Sequence, residues 1–257
     1  RQRQMCIRDS RYSATSGGVG SAFLKWLFDK DIIQSAISFK FDNQTLRYSP
    51  LIIHSYDDYE ISGSIYQEID LIDFIKKHIN EIKGDFACFC LPCQSRGIRN
   101  IVEKKNHKVI IIGLTCSSQQ TIEATTYLLR KKGIDINNIK KLQYRGNGWP
   151  SSIQIETNNS KKIEIPNNKS IWTEIFHSRL FIRPKCFMCK DTLNKNCDIA
   201  LADPWLQDCI KTETIGKTLV TCFSMIGEAY LAQCRDDTYI FLSKICLLYT
   251  SPSPRDA

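Results

Sequence analysis

The segments DFACFCLPC (residues 85–93) and KVIIIGLTC (residues 108–116) decide the fold, because each joins a short apolar run to a cysteine. Runs of this length predict buried strands. A helical pattern of apolar residues follows each run, from Arg96 and again over residues 119–131. Because this alternation favours parallel pairing with right-handed crossovers, we predict an α/β fold with a mixed, partly parallel sheet flanked by helices.

The rest of the chain contains further helix and strand patterns and no internal repeat. A glycine-rich turn at residues 16–20 opens an amphipathic helix, and residues 68–82 repeat isoleucine at helical spacing. Shorter runs complete the prediction: strands near residues 32–41, 51–54, 142–144, 153–155, 163–165, 198–201 and 219–223, and a helix over residues 172–181.

The two ends of the chain differ from the rest. Residues 5–10 and 246–250 can be encoded by DNA strings that are reverse complements of each other, which is typical of adapter sequence from a transposon-based library. We therefore predict that residues 1–10 and 246–257 are adapter-derived. Residues 11–245 are expected to form one domain that is truncated at both ends.

The composition favours a cytoplasmic protein with reduced thiols. The chain has 12 cysteines, of which ten lie in residues 11–245. No stretch approaches the roughly 20 apolar residues of a membrane span. Without a secretion signal, so many cysteines favour metal binding or redox chemistry over a disulfide framework. The formal net charge is +8, but the lysines are scattered, which favours a solvated surface over a nucleic-acid site.

Four cysteines are candidate metal ligands. Cys93 and Cys116 each follow a predicted strand, and neighbouring parallel strands would place both thiols at the same edge of the sheet. Cys186 and Cys189 form a C-x-x-C motif, whose spacing lets two thiolates hold one centre. Four thiolates suit either a [4Fe–4S] cluster or tetrahedral zinc.

Each candidate also has an interpretation without a shared metal centre. Lone cysteines after strands are often small buried apolar residues, and a single C-x-x-C motif also occurs in zinc knuckles and thioredoxin-type dithiols. Cys197 lies close enough in sequence to be an alternative ligand. The four histidines are isolated, so no hydrolase site is predicted and no catalytic residue is assigned. The remaining cysteines are expected in the core: Cys88, Cys90, Cys209, Cys222 and Cys234.

Seven short motifs in a fixed order carry a family resemblance that covers residues 11–232. They are SGGV (16–19), GSIY (63–66), LPCQ (91–94), GLTC (113–116), YRGNGW (144–149), CFMC (186–189) and DIALADPW (198–205). Together they resemble the beta subunit of coenzyme F420 hydrogenase/dehydrogenase, and especially its bacterial relatives found with polysaccharide biosynthesis.

The resemblance implies an iron–sulfur flavoprotein oxidoreductase with FAD and one [4Fe–4S] cluster, whose ligands would be Cys93, Cys116, Cys186 and Cys189. Electrons would pass between ferredoxin-like centres, the flavin, and coenzyme F420 or another organic acceptor. The implied partners are a ferredoxin-like domain or subunit and a small-molecule acceptor. Family members often carry such a ferredoxin domain just upstream of the SGGV motif.

The resemblance also implies the residues that contact the flavin or acceptor. A glycine turn that opens a helix would present backbone N–H groups to a pyrophosphate, and Arg145 would pair with a phosphate or a flavin carbonyl. A capped turn and a salt bridge are ordinary structural roles for the same residues. Ile65 stands where the family has lysine, which argues against F420 itself. The implied contacts are Ser16, Gly17, Gly18, Val19, Ser64, Tyr66, Arg145 and Asp203.

Two other functions would use the same cysteines. A non-enzymatic, zinc-stabilised binding or scaffold protein would hold zinc in place of a cluster and would bind no flavin. An electron-relay subunit would hold the cluster without FAD.

Overall fold

The structure is a computed structural model that describes residues 11–105, 107–167 and 169–245. The segments predicted to be adapter-derived, residues 1–10 and 246–257, lie outside the described residues. Within the described part of the chain, no helix combines the length and apolar character that crossing a bilayer requires.

The larger sheet of the described chain has six strands in the spatial order β2-β1-β3-β4-β8-β9. The four inner strands run parallel, and the two outer strands are antiparallel to their neighbours. This confirms the predicted mixed, partly parallel sheet. Its strands are β1 (Ser35–Asp42), β2 (Arg47–Ile53), β3 (Phe86–Cys90), β4 (Val109–Leu114), β8 (Ile199–Ala202) and β9 (Leu219–Cys222).

Helices cover both faces of this sheet because alternate residues of each inner strand point to opposite sides. On one face, Ala87 packs in a cluster with apolar residues of α1 and α8; on the other, Cys88 packs with residues of α2 and α3. The helices are α1 (Val19–Asp29), α2 (Leu71–His78), α3 (Pro92–Glu103), α4 (Ile122–Lys131), α5 (Ile171–Ser178), α6 (Pro184–Phe187), α7 (Gln207–Thr212) and α8 (Met225–Asp236).

A smaller antiparallel sheet packs against α4 and α5. Its central strand alternates buried Ile153 and Ile155 with partly exposed residues, which is the pattern of a sheet with one covered face. The Tyr48 hydroxyl of β2 donates a 2.6 Å hydrogen bond to the carbonyl of Leu142 in β5, so the two sheets are joined. The strands are β5 (Ile139–Gln143), β6 (Ser152–Thr157) and β7 (Lys162–Pro166).

Several predictions differ from the structure in detail. The helix predicted over residues 172–181 ends at Ser178, because Arg179 adopts a left-handed conformation with φ of 57°. The helix expected from Arg96 already begins at Pro92, a residue suited to the first helical turn. Cys88, Cys90 and Cys234 are buried as predicted, and Cys222 is partly buried and packs against the core. Cys209 is only half-buried, so its assignment to the core was wrong.

Candidate functional site

Cys93 lies in the first turn of α3, directly after β3. Pro92 opens the helix, and the backbone N–H of Leu91 donates a 2.9 Å hydrogen bond to the side-chain oxygen of Gln94, which fixes the start of the helix. The residue Cys93 is exposed, in contrast to Cys90 in the strand before it. Its place at a helix N-terminus, where the helix dipole is positive, partly offsets the desolvation that raises the pKa of its thiol.

Cys116 lies at the same edge of the sheet as Cys93. The register of the parallel pair β3 and β4 sets Cys90 opposite Gly113, so both strands end at one level. The backbone N–H of Cys116 donates a 3.0 Å hydrogen bond to the carbonyl of Thr192, in the loop after the C-x-x-C motif. Both cysteines therefore follow parallel neighbouring strands at the same edge of the sheet, as the sequence predicts.

Cys186 and Cys189 occupy a single turn. Cys186 belongs to the short helix α6, and the backbone N–H of Cys189 donates to the carbonyl of Cys186 at 3.4 Å. The thiol of Cys189 donates to the carbonyl of Asp191 at 3.3 Å. Both cysteines are partly exposed, so neither belongs to the apolar core.

The C-x-x-C turn lies beside Cys93. Although the residue as a whole is exposed, desolvation of its sulfur is the main cause of the raised pKa of the Cys93 thiol, and the positive charge of Lys185 opposes that rise. The thiols of Cys189 and Cys186 raise the same pKa further, so both are within electrostatic reach of Cys93. We call the region formed by Cys93, Cys116, Cys186 and Cys189 the cysteine edge.

The four thiols of the cysteine edge are chemically suited to bind a metal centre, although they are not arranged as a metal site in this structure. Among the described residues, no group of three or more histidine, cysteine, aspartate or glutamate side chains is placed to hold a metal ion. Four accessible thiols at one sheet edge nevertheless match the chemistry of a four-thiolate cluster or of zinc.

Asn194 holds the loop of the C-x-x-C motif against the sheet, a role that sequence reasoning missed. Its side-chain amide donates to the carbonyl of Cys90 at 2.9 Å, and the residue is fully buried. The loop fits only because the second-last residue of β4 is a glycine: a Cβ atom on Gly113 would lie 2.6 Å from the sulfur of Cys197 and 2.7 Å from Nδ2 of Asn194.

The glycine turn before α1 has the predicted form. Gly18 is the N-cap with φ of 74°, a conformation that favours glycine, and no side chain of the described residues caps it. Gly17 contacts the chain before β9: its N–H donates to Oγ1 of Thr218 at 2.8 Å. A Cβ on Gly20 would lie 2.9 Å from Leu201, near the carboxyl end of β8. The N-terminus of α1 therefore faces the same sheet edge as the cysteines.

Arg145 is the centre of a buried clamp, in which its guanidinium pairs with the carboxylate of Asp203. Its Nε donates to Oγ of Ser151 at 3.0 Å, and Nη2 donates to the carbonyl of Thr15 at 3.1 Å. Burial alone would lower the pKa of Arg145, but Tyr66 and Asp203 hold that pKa above its usual value. We call this set the Arg145 clamp.

The clamp gathers the residues implied as flavin contacts from four distant motifs. Tyr66 is partly buried, and desolvation raises the pKa of its hydroxyl, which is hydrogen-bonded to Arg145 and Ser64. The N–H of Ser64 donates to Oγ1 of Thr15 at 2.6 Å, directly before the glycine turn. Thr15, which the sequence did not single out, therefore joins the turn to the clamp.

The guanidinium of Arg145 makes its contacts with other residues of the protein. Only 4% of its surface is exposed, and its donors are shared among Asp203, Ser151, Thr15 and Tyr66. This arrangement orients the surrounding loops, and a direct bond to a ligand phosphate would require one of these partners to leave.

An open cavity of about 550 Å³ adjoins the clamp. Trp149 donates from its indole N–H to Asp203 at 3.3 Å and packs at 5.0 Å against Trp205, which is 46% exposed. A cavity of this size is typical of small-molecule sites. Its lining combines aromatic and uncharged polar residues: Tyr12, Trp149, Asn147, Ser151, Ser152 and Thr214.

The clamp and the cysteine edge are linked through the loop after Cys116. The side-chain amide of Gln119 donates to the carbonyl of Ile65 at 3.1 Å, between Ser64 and Tyr66. Thr115 donates from its backbone N–H to the carbonyl of Leu201 at 3.0 Å, two residues before Asp203. The loop after Cys116 therefore contacts both the segment of Ser64 and Tyr66 and the end of β8, at the carboxyl ends of β4 and β8 where an open α/β sheet usually binds its ligands.

Comparison with known proteins gives two findings. The family model for the C terminus of the coenzyme F420 hydrogenase/dehydrogenase beta subunit matches residues 84–246. The fold is similar to that of a chain in a xenon-derivatised structure of the F420-reducing [NiFe] hydrogenase complex from Methanosarcina barkeri. That similarity has a TM-score of 0.66 and 14% sequence identity, and it covers 91% of this chain and 76% of the other. No curated protein matches the chain.

Proposed function

Because the chain belongs to the coenzyme F420 hydrogenase/dehydrogenase beta-subunit family, we propose that it is an iron–sulfur flavoprotein oxidoreductase. The observation that carries this proposal is that the cysteine edge and the Arg145 clamp lie along one sheet edge and are joined through Gln119 and Ile65. A one-electron centre and a site for an organic cofactor would then be neighbours.

The four cysteines would hold the cluster, which supplies one-electron transfer when bound. Cys93 would offer its thiolate from a helix N-terminus, and the turn of Cys186 and Cys189 would supply two more ligands. Cys116 would complete the set from the end of β4. None of the ten cysteines in the described part of the chain is in a disulfide, which suits a reducing, cytoplasmic location.

The flavin would bind beside the clamp, with its pyrophosphate at the N-terminus of α1. The backbone groups of residues 16–19 would contact the phosphates, while Ser64, Tyr66 and Asp203 would act with Arg145 to hold the surrounding loops in place. The open cavity next to Trp149 would admit the organic acceptor, which is F420 or another small molecule. A ferredoxin-like domain or subunit would exchange electrons with the cluster.

Anaerobic purification followed by spectroscopy and chemical analysis tests the proposal. We expect a brown protein with a broad iron–sulfur absorption band, four irons and four sulfides per chain, and FAD released by acid. Colourless protein that contains zinc and no flavin would instead establish the scaffold function. Brown protein without FAD would establish an electron-relay subunit.

A further inference from the structure

The cysteine edge carries exposed apolar side chains at its surface. Phe187 and Met188, the two residues between Cys186 and Cys189, are 62% and 77% exposed, and Leu193 of the same loop is 50% exposed. Apolar groups gathered at one place on a surface and surrounded by charge mark a protein interaction site more often than chance exposure does. We call these three residues the apolar cap.

Exposed basic residues accompany the apolar cap in the same loop and at the start of α3. Lys185, Lys190 and Lys195 are exposed within the loop, and Arg96 is exposed one turn after Cys93 on α3. We call these four residues the basic collar.

Little negative charge offsets the basic collar. Asp191 is the acidic residue of segment 183–196, and its carboxylate accepts hydrogen bonds from the backbone N–H groups of Leu193, Asn194 and Lys195. It is therefore directed into the loop. Arg183, also in this segment, pairs with Asp70 at 3.6 Å.

The need to balance the negative charge of a bound cluster would explain the basic collar, but it would not explain the apolar cap. Cations near a thiolate centre would stabilise its negative charge. They would not require Phe187 and Met188 to face water, where large apolar side chains are unfavourable. The two features together match a partner surface that is acidic at its rim and apolar at its centre.

We propose that the apolar cap and the basic collar form the docking surface for an acidic one-electron carrier protein. This inference rests on the proposed function, because the carrier would exchange its electron with the centre at the cysteine edge. In that exchange the carrier's reduced centre loses one electron and is oxidised, and the centre of this chain gains that electron and is reduced.

The test uses the full chain and an acidic two-cluster bacterial ferredoxin as the probe. Binding is measured by interferometry, and reduction by stopped-flow bleaching of the visible bands, at several salt concentrations. In the variant Lys185→Glu/Lys190→Glu/Lys195→Glu, we expect affinity and the ferredoxin-driven rate to fall by about tenfold at low salt and to lose their salt dependence. Reduction by uncharged photoreduced deazariboflavin reports any change in the centre itself, so the ferredoxin-driven rate of each variant is divided by this rate before the comparison.

A second variant tests the apolar cap. Phe187→Ser/Met188→Ser should weaken ferredoxin binding by about tenfold at every salt concentration and leave the salt slope unchanged, because burial of apolar area is not screened by ions. The matched control is Phe241→Ser/Leu242→Ser, which alters exposed apolar residues after α8. The charge control is Lys132→Glu/Lys161→Glu/Lys162→Glu, on exposed residues remote in sequence from the cysteine loop.

The outcomes separate this inference from the proposed function. If the collar variant and its charge control bind ferredoxin with the same affinity and the same salt dependence, the docking surface is overturned. This conclusion holds whether or not the protein carries a coloured cluster. A colourless chain that still binds ferredoxin through the collar would support the surface and refute the redox function. Wild-type protein that does not bind the ferredoxin at low salt would also overturn the inference.

Discussion

The side-chain amide of Asn194 donates a 2.9 Å hydrogen bond to the backbone carbonyl of Cys90, which lies 104 residues earlier in the chain. This bond fixes the loop of the C-x-x-C motif on the carboxyl ends of the parallel strands. The loop then reaches Cys116 through the carbonyl of Thr192. The position of the paired cysteines relative to Cys93 and Cys116 therefore depends on this buried side chain together with the backbone bond at Thr192.

Two substitutions of Asn194 should separate the contribution of its side-chain hydrogen bond to stability from the contribution of its left-handed backbone conformation. Asn194 has φ of 64°, so Asn194→Gly loses the hydrogen bond alone, whereas Asn194→Ala loses the bond and also strains the backbone. We expect the free energy of unfolding to fall by about 1–3 kcal/mol in Asn194→Gly, and by about 1 kcal/mol more in Asn194→Ala. Urea titration measures both values, and equal losses in the two variants would contradict a role for the backbone conformation.

Gly113 should tolerate no side chain. In Gly113→Ala the added Cβ would lie 2.6 Å from the sulfur of Cys197, and the buried loop around it has little room to move. We expect a loss of about 1–3 kcal/mol in the free energy of unfolding and faster alkylation of Cys189.

A matched control for this substitution is Gly97→Ala in α3. There the added Cβ would lie 2.5 Å from Cδ1 of Ile72, the far end of a flexible side chain that can rotate away. Alanine is also the better helix former, so this variant should be neutral or slightly more stable. Destabilisation of similar size in both variants would show that the tight fit at Gly113 is not the cause.

The Arg145 clamp should be far more sensitive to loss of charge than an ion pair at the surface. Asp203→Asn leaves the guanidinium of Arg145 buried without its counter-charge, and we expect a loss of about 3–5 kcal/mol in the free energy of unfolding. Glu156→Gln makes the same chemical change in the exposed pair with Lys140 and should have no measurable effect. Thermal and urea unfolding of the two variants provide the comparison; equal stability would rule out the clamp as a structural element.

Serine substitutions should distinguish the cysteine edge from the buried cysteines. Cys93→Ser, Cys116→Ser, Cys186→Ser and Cys189→Ser should each lower the iron content by at least about tenfold, because each removes a thiolate ligand. Cys88→Ser and Cys234→Ser alter buried cysteines, so they should reduce stability and leave the ratio of iron to folded protein unchanged. Iron loss in Cys197→Ser with iron retained in Cys116→Ser would identify Cys197 as the fourth ligand.

Sequence periodicity predicted the sheet and the position of its cysteines well. Two apolar runs, each followed by a cysteine, were enough to predict two neighbouring parallel strands. Both runs are long enough to be buried strands, and a helical pattern separates them. The start of α3 was placed too late, since Cys93 was assigned to a loop while Pro92 and Gln94 already fix a helix there.

Contacts between distant segments were not predictable in the same way. The pairing of Arg145 with Asp203 joins residues 58 positions apart, and nothing in the local sequence of either indicates its partner. Asn194 is one of several asparagines in polar loops, and only the structure shows that it is fully buried against β3. The local sequence signal at this position is the residue type, because asparagine adopts the positive φ found here more readily than most residues.

The stability of the protein should fall in alkali, and Cys197 should be one cause. Burial raises the pKa of its thiol to about 11, above the ordinary value of 9.0. Between these two values the folded chain keeps a proton that the unfolded chain has released, so the free energy of unfolding decreases as the pH rises from about 9 to about 11. In Cys197→Ala this contribution is absent, and the decrease over that range should be smaller than in the wild type. Urea unfolding at pH 8 and pH 10.5 measures the difference, and identical decreases in the two proteins would show that Cys197 ionises as readily in the folded chain as in the unfolded one.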